Sequence, residues 1–384
     1  MKKNKIVVFH IGGIGDSIHD LSVLKQIVSF CPRSQIFYVC KKGNEVLVDL
    51  AGLGDIIIKV PVNSKFDLLS LYFKLPFRPD TIVVCCGMNV RKIEYFLRCF
   101  FPKRAGASFP DYPDECLRKF RTKGSTFNVL VGPLHGAHRI FVNREVLRLL
   151  GIHGNLFSPL LDKHRVSSID LPSIIDWNYD RPFAVLHHGA ASVDSSKRWK
   201  ESKWATVADK VIEQFKLDIL LVGGLQEIES SREIVNSCNN KDRIYNATGK
   251  FSLSQLVRVI SEAALVVGTD SGPGHIAGAV GTPLVSVFGP TSPSQVAPVT
   301  ENGCIVHHPV HCGPCYCSNN YYYCPNNNIC MNAISEESVI KAVRLVLGHS
   351  PVDNVIQENC DVITKCPTLS DCRDWSRSEP GKTI

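Results

Sequence analysis

The sequence predicts an α/β protein with two Rossmann-like, doubly wound parallel-sheet domains. The 384 residues exceed what one hydrophobic core usually holds, since cores seldom grow past roughly 250 residues. Apolar runs of β type alternate with helical stretches from residue 5 to residue 101, and this alternation restarts at residue 183 after a proline-containing interval. The predicted segments are a first domain at 1–160, a linker at 161–182, a second domain at 183–347 and a polar, loosely ordered tail at 348–384.

The first domain begins with a continuous β-branched run at residues 5–11, which is typical of a strand covered on both faces. Gly12-Gly13-Ile14-Gly15 turns this strand into a helix at 17–30, where apolar residues recur with helical spacing. Residues 102–126 are irregular and basic, which favours a solvated loop over a binding or membrane-facing patch. The other predicted elements are strands at 37–40, 55–60 and 81–86 and helices at 66–75, 91–101 and 138–150.

The second domain repeats the pattern of strand and helix, and residues 265–293 are its most informative stretch. There a short apolar strand runs into a glycine-rich turn, a helix of small residues and a second strand. In a parallel sheet, the loop at the carboxyl end of a strand binds ligands, and the next helix directs N–H groups into it. The predicted strands are 183–188, 218–222, 265–267 and 284–288, and the helices are 202–215, 228–238, 253–263, 275–280 and 336–347.

The residues of the turn at 268–274 indicate an anion site, most simply for a phosphate. Gly272 and Gly274 let a ligand approach the backbone, and Asp270, Ser271 and His275 supply hydrogen-bonding side chains. An ordinary turn between a strand and a helix is the alternative, because glycine and aspartate are common in turns of every kind.

Composition indicates an ordinary globular protein that stays in the cytoplasm. Hydrophobic residues make up 44% and charged residues 21% of the chain. No apolar run approaches the ~20 residues of a membrane-spanning helix, and the first apolar run is too short for a signal peptide. The net charge of +7 is spread along the chain, so nucleic-acid binding is not indicated.

The glycines after the first strand raise the alternative of a dinucleotide fingerprint. That motif has the form G-x-G-x-x-G, and here Gly13 and Gly15 are followed by Ile18 in place of the third glycine. The second strand runs into Lys41 and Lys42 instead of an acidic residue. A dehydrogenase is therefore disfavoured, and Lys41 and Lys42 are the single feature that favours NADP.

Several motifs resemble glycosyltransferase family 9, the bacterial heptosyltransferases of lipopolysaccharide core assembly. The most specific are Asp270-Ser271-Gly272-x-x-His275 and Phe288-Gly289-Pro290-Thr291-x-Pro293. Further matches, in the family's order, are the strand and loop ending at Asp16, Lys197-x-Trp199, and Gly223-Gly224 followed by Glu227. The resemblance covers about residues 5 to 347. Ser271 stands where the family often has threonine, and Arg198 where histidine is common, which weakens the assignment of heptose.

The resemblance implies the GT-B architecture, two Rossmann-like domains that face a central cleft, and a role for each matching residue. Asp16 is the expected catalytic base, with Gly13 and Gly15 leaving room for the acceptor. Four residues would lie at the phosphates of the donor: Lys197 would neutralise the diphosphate, Ser271 and Gly272 would bind it, and His275 would lie nearby. Glu227 would bind the ribose hydroxyls, and Asp270 would hold sugar hydroxyls.

The expected reaction is metal-independent, inverting transfer of heptose from ADP-heptose to a lipopolysaccharide core acceptor. No Asp-x-Asp motif follows a predicted strand, so we expect neither a metal nor another cofactor. The expected partners are the nucleotide sugar and an anionic lipid-linked saccharide, with peripheral contact to the inner membrane. Two alternatives stay open, a GT-B sugar-nucleotide epimerase and a non-catalytic nucleotide-sugar binding protein.

Cysteines are concentrated near the end of the second domain. The spacing of Cys312 and Cys315 is that of metal ligands, but no second Cys-x-x-Cys follows, so plain packing or redox-labile thiols are favoured over a structural metal. The tightly spaced members of this group are Cys312, Cys315, Cys317, Cys324 and Cys330.

Overall fold

A computed structural model describes residues 4–63, 71, 73–76, 78–87, 97, 100, 103–108, 127, 129–131, 136–171, 177, 181–190, 195–315, 324–348, 355–358 and 360–374. The chain folds into two compact units, Met1–Arg165 with Thr368–Ile384, and Val166–Pro367. Most of the predicted helices at 66–75 and 91–101 and of the basic stretch at 102–126 lies outside the described residues. None of the described helices combines the length and the apolar character that crossing a membrane requires.

The first unit contains six parallel strands in the order β3-β2-β1-β4-β5-β6. They are β1 (Lys5–Phe9), β2 (Gln35–Lys41), β3 (Ile57–Val62), β4 (Thr81–Val84), β5 (Arg104–Ser108) and β6 (Val129–Val131). The order reverses between β1 and β4, and ligands of such sheets bind outside the carboxyl ends of the strands at this point. The described helices are α1 (Ile14–Phe30), α2 (Val46–Leu50), α3 (Arg139–Leu149) and α4 (Lys163–Ser167), which crosses the boundary between the units.

The prediction of irregular structure at 102–126 is wrong for Arg104–Ser108, which forms β5. Ala105 and Ala107 are buried, and β5 pairs with both β4 and β6. The strand was not predicted because its residues are small and follow a proline and a lysine. A run of alanine and glycine lacks the β-branched residues that mark strands in a sequence.

The second unit contains the strand order β13-β14-β12-β11-β10-β7-β8-β9, in which β7 to β12 are parallel. Its strands are β7 (Phe183–His187), β8 (Asp218–Leu221), β9 (Ile244–Asn246), β10 (Leu265–Thr269), β11 (Leu284–Phe288), β12 (Gly303–His307), β13 (Val355–Glu358) and β14 (Asp361–Lys365). The order reverses between β7 and β10. The prediction of two Rossmann-like parallel sheets is thus confirmed.

Seven α-helices among the described residues belong to this second unit. They are α5 (Glu201–Phe215), α6 (Ile228–Ser237), α7 (Leu253–Glu262), α8 (Gly272–Val280), α9 (Pro293–Val296), α10 (Ile329–Asn332) and α11 (Glu336–Val346). Two helices begin earlier than predicted, α8 at Gly272 and α1 at Ile14, because glycine at the first helical turn lacks the apolar signal on which the prediction relied.

The prediction of a loosely ordered tail is wrong for residues 355–374. Strands β13 and β14 form an antiparallel hairpin that pairs with β12, and α12 (Leu369–Asp374) follows in the first unit. The buried Asp361 anchors this hairpin, since its carboxylate accepts hydrogen bonds from the Ser335 backbone N–H at 2.9 Å and the Ser338 hydroxyl at 2.7 Å. His308 Nδ1 lies 2.8 Å from the same carboxylate. Strand β14 was not predicted because the sequence of the tail is polar. Its buried carboxylate, that of Asp361, is nevertheless fully hydrogen-bonded.

Candidate active site

Asp16 lies at the carboxyl edge of the first sheet, in the first turn of α1. Its Oδ2 accepts a hydrogen bond from the backbone N–H of Gly13 at 2.9 Å, which gives it a capping role. Its Oδ1 forms an ion pair with Nη1 of Arg139, at the start of α3. The Asp16 side chain is 26% exposed, so a substrate hydroxyl could reach it. Gly13 caps α1 and Gly15 lies in its first turn, and their contact with an acceptor stays a prediction.

A buried histidine lies behind Asp16, directly after β1. His10 Nδ1 lies 2.7 Å from Oδ2 of Asp20, and the Tyr38 hydroxyl donates to the same oxygen at 2.8 Å. Burial lowers the pKa of His10, but the charge and hydrogen bond of Asp20, with a contribution from Asp16, outweigh it and raise the pKa. Nothing in the sequence patterns singled out His10 or Asp20.

His10 and Asp20, with Cys85, also form the one group among the described residues whose three ligand atoms lie within 4.8 Å of one another. Burial, together with the nearby Asp20 carboxylate, raises the pKa of the Cys85 thiol well above its ordinary value. The Oδ2 atom of Asp20 already contacts His10 Nδ1 and accepts a hydrogen bond from the Tyr38 hydroxyl. We therefore interpret this group as a hydrogen-bonded cluster.

The predicted anion loop of the second unit lies at the carboxyl ends of β7 and β10, where the strand order reverses. Helix α8 begins at Gly272, directly after Ser271, so the backbone N–H groups of its first turn face this edge. His275 is buried within the same first turn. This is the position that a phosphate prefers in Rossmann-like sheets.

Lys197 and Asp270 are brought together at this loop although 73 residues separate them. Lys197 Nζ lies 2.6 Å from Oδ2 of Asp270, and Thr291 Oγ1 donates to the same oxygen at 2.7 Å. Burial alone would raise the pKa of Asp270, but Lys197, His275 and these hydrogen bonds lower it. Asp270 is therefore an ionised carboxylate in a buried ion pair.

The turn that carries Lys197 is fixed by aromatic packing. It is a single 3-10 turn, Ser195–Lys197, and two residues later Trp199 is fully buried. Trp199 packs edge to face against Trp204 of α5, with ring centroids 4.9 Å apart. Such a pair anchors the turn and so places the Lys197 ammonium group at the loop.

Ser271, His187 and Glu227 form a second polar chain at the same edge. The Ser271 hydroxyl lies 2.9 Å from Nδ1 of His187, the last residue of β7. On the other side of the imidazole ring, Nε2 of His187 lies 3.6 Å from Oε2 of Glu227. No sequence motif includes His187, although its place at a strand end could have singled it out.

Glu227 is buried in a pocket whose walls are glycines. Its Oε2 accepts a hydrogen bond from the backbone N–H of Gly224 at 2.7 Å. A Cβ on Gly189 would lie 1.4 Å from Oε1, and one on Gly223 would lie 2.6 Å from Oε2. Burial raises the pKa of Glu227, but His187 and the Gly224 hydrogen bond outweigh it, so the net pKa is lowered. An ionised carboxylate held in this way can accept hydrogen bonds from two neighbouring hydroxyl groups.

The cysteine cluster lies beside the loop after β11. The Cys315 backbone N–H donates to the Pro290 carbonyl at 3.0 Å, and burial raises the pKa of Cys330 to about 11 with help from neighbouring cysteines. Among the described residues, no three of these sulfur atoms come as close together as ligands of one metal, and Cys317 lies outside those residues.

A comparison with known families finds a match that covers most of the second unit. The model of glycosyltransferase family 9 (heptosyltransferase) matches residues 160–324. The resemblance to glycosyltransferase family 9 is confirmed. This match includes Lys197, Glu227 and the loop at Asp270, whereas Asp16 lies outside it.

Two curated relatives and one solved structure extend the resemblance to glycosyltransferase family 9. Lipopolysaccharide heptosyltransferase 3 of Escherichia coli K12 is 30% identical over 180 residues, which make up 45% of this chain and 50% of that protein. The chain thus spans about half the length of this relative. Lipopolysaccharide heptosyltransferase 1 of Campylobacter coli is 28% identical over 360 residues, covering 90% of this chain and 99% of that protein.

The solved structure is E. coli ADP-heptose lps heptosyltransferase II, with a TM-score of 0.67 and 19% sequence identity. The similarity covers 90% of this chain and 99% of that one. It confirms the GT-B fold.

Proposed function

We propose that the protein is an inverting, metal-independent glycosyltransferase that moves heptose from ADP-heptose to a lipopolysaccharide core acceptor. The observation that carries this proposal is the edge of the second sheet between β7 and β10. There the first turn of α8, the Lys197–Asp270 pair and the Glu227 pocket lie together on separate loops. The named functions of the relatives, which are heptosyltransferases, support the choice of sugar.

Each group on this edge has a role in binding the donor. The N–H groups at the start of α8 and the Ser271 hydroxyl would hold the diphosphate, with His275 beside them. Lys197 would contact both the diphosphate and Asp270. Asp270 would also accept hydrogen bonds from sugar hydroxyls. Glu227 would accept hydrogen bonds from the two ribose hydroxyls.

In the proposed reaction Asp16 is the general base. As the acceptor oxygen bonds to the anomeric carbon, Asp16 takes the proton of that hydroxyl. The bond from the anomeric carbon to the diphosphate oxygen breaks, and its electron pair leaves with ADP. Attack from the face opposite the diphosphate inverts the configuration. Lys197 and the helix N-terminus stabilise the charge that develops on the departing ADP.

Donor turnover with and without an acceptor tests this proposal. The purified protein is incubated with ADP-heptose alone and with a lipid-linked core saccharide that lacks heptose, and products are identified by mass spectrometry. We expect ADP release and a heptose-bearing product only when the acceptor is present. Isomerised nucleotide sugar without acceptor would indicate an epimerase, and binding without turnover would indicate a non-catalytic protein. Either result contradicts the proposal.

A further inference from the structure

The cluster behind Asp16 has the arrangement of an oriented base. His10 is 2% exposed, and its Nδ1 is fixed by the Asp20 carboxylate, which is itself held by the Tyr38 hydroxyl. Because Nδ1–H donates to a carboxylate, the neutral ring carries its lone pair on Nε2. A buried carboxylate that fixes the tautomer and orientation of a histidine is the arrangement by which proteins prepare an imidazole to accept a proton.

The Nε2 atom of His10 lies close to the ion pair of Asp16 and Arg139. A Cβ on Gly12 would lie 2.7 Å from His10 Nε2 and also 2.7 Å from Oδ2 of Asp16, so both atoms border one small space. On the other side, a Cβ on Gly87 would lie 3.6 Å from the same Nε2 and 3.4 Å from Nη1 of Arg139. A side chain at either glycine would therefore stand against the imidazole and one member of the ion pair.

We propose that His10, oriented by Asp20 and Tyr38, is a positioning residue that accepts the catalytic proton from Asp16. This inference rests on the proposed function, in which Asp16 takes a proton from the acceptor hydroxyl. The proton then leaves the Asp16 carboxyl for His10 Nε2, directly or through one water molecule in the space beside Gly12. The carboxylate of Asp16 is restored, and the imidazolium is stabilised by Asp20.

Electrostatics support this direction of transfer. The pKa of His10 is raised despite burial, mainly by Asp20 and to a lesser degree by Asp16, while Arg139 lowers it. A raised pKa makes the neutral ring a better proton acceptor near neutral pH. The titratable or charged groups that face His10 or its partner carboxylate are Asp16 and Asp20 on α1, Tyr38 and Cys40 on β2, Cys85 after β4 and Arg139 on α3.

The pH–rate profile of the transfer reaction gives the first test. In the wild type, kcat should fall as the pH drops through the raised pKa of His10, because the protonated ring no longer accepts. His10→Gln keeps the size of the side chain but should lower kcat about tenfold or more and remove this acidic limb. Tyr38→Phe should raise the pKa of His10 and so move the acidic limb to higher pH, because the Asp20 carboxylate then no longer accepts the Tyr38 hydrogen bond. Asp20→Asn should lower the pKa of His10 and move the limb to lower pH, because it removes the negative charge beside the ring. Full activity with an unchanged profile in His10→Gln would overturn the inference while the proposed function stands.

A titration of His10 by NMR gives a second test that needs no activity. Its resonance is assigned by its loss in His10→Gln, and its pKa is compared among the wild type, Asp16→Asn and Arg139→Gln. We expect the pKa to fall in Asp16→Asn and to rise in Arg139→Gln, because the two charges act with opposite sign. If neither variant shifts the pKa of His10, the coupling is absent and the inference is wrong. If the shifts occur but the wild type transfers no sugar, it is the proposed function that fails.

Discussion

The ammonium group of Lys197 and the carboxylate of Asp270 are in direct contact, 2.6 Å apart, at the loop that we assign to the donor diphosphate. Their side chains are 15% and 5% exposed, so this ion pair is largely removed from water. The positive charge of Lys197 is therefore already compensated by the Asp270 carboxylate. In the proposed donor complex the diphosphate would share this lysine with Asp270, and the N-terminus of α8 would contribute to anion binding beside it.

Replacing Lys197 with alanine should weaken ADP binding about 10- to 100-fold, because a charge-assisted contact is worth ~1.5–3 kcal/mol. It should also lower thermal stability, since it leaves the Asp270 carboxylate buried without its counter-ion. Isothermal titration calorimetry and a thermal melt measure the two effects. Lys200→Ala, which removes an exposed lysine three residues away, is the matched control. Unchanged ADP affinity in Lys197→Ala would remove this lysine from the site.

The change Asp16→Asn separates catalysis from helix capping. Asparagine caps a helix about as well as aspartate, but it cannot take a proton. We expect near-normal stability, retained ADP binding and a transfer rate lower by ~10² or more. A single-turnover assay beside a thermal melt measures this. Transfer at close to the wild-type rate would leave Asp16 as a cap and no more.

Acid should destabilise the second unit through His188, whose Nε2 lies 2.8 Å from the Ser230 hydroxyl. Burial, with the neighbouring His187, lowers the pKa of His188 to about 4 from an ordinary 6.5. Between these values the unfolded chain binds the proton and the folded one does not, so the free energy of unfolding decreases as the pH falls from 6.5 to 4. The full effect is about 3 kcal/mol.

Denaturant unfolding of the wild type and of His188→Gln between pH 7 and pH 4 tests this effect. The wild type should lose stability relative to the variant as the solution becomes more acidic. His311→Gln, at an exposed histidine of the same unit, should parallel the wild type. A constant difference between wild type and His188→Gln over this range would contradict the assignment.

An isolated second unit should fold and bind ADP. The appropriate fragment is Val166–Pro367, because strands β13 and β14 complete its sheet and Asp361 holds the start of α11. A fragment that stops at Leu347 lacks both strands and should melt at a lower temperature. Calorimetry with ADP on the longer fragment provides the measurement, and a folded fragment without ADP binding would count against the proposed donor site.

Transfer should proceed at full rate in EDTA, because the proposed mechanism uses Lys197 and the start of α8 in place of a metal. The assay compares initial rates with EDTA, with added Mg²⁺ and without either. Loss of transfer in EDTA and its recovery with Mg²⁺ would contradict the mechanism. A lower melting temperature with release of zinc would instead assign a structural metal to the cysteine cluster.

The sequence was sufficient for elements with strong local signals. Strands such as β1 and β10 are continuous apolar runs, and the turn before α8 has its own glycine pattern. The strand β5 was missed because its residues are small, and the hairpin after residue 354 because its burial depends on partners distant in the chain. Local composition carries no information about such partners.

The same limit applies to the candidate site. The sequence singled out Lys197, Asp270 and Asp16 one at a time, and the resemblance supplied a role for each. It did not show that Lys197 pairs with Asp270, that Arg139 pairs with Asp16 across 123 residues, or that His187 connects Ser271 to Glu227. These contacts arise only when parallel strands bring their carboxyl ends to one edge of a sheet.

The pocket around Glu227 also constrains how this chain can vary. Because a methyl group on residue 189 would occupy the space of the Glu227 carboxylate, alanine at 189 would displace that carboxylate from its position. Shortening the acid to aspartate would vacate that space, so the two positions should show reciprocal sign epistasis, in which each change alone is harmful and the pair is tolerated. A combinatorial library at positions 189 and 227, selected for growth that depends on the transferase, should therefore recover glycine with glutamate or alanine with aspartate and few mixed pairs.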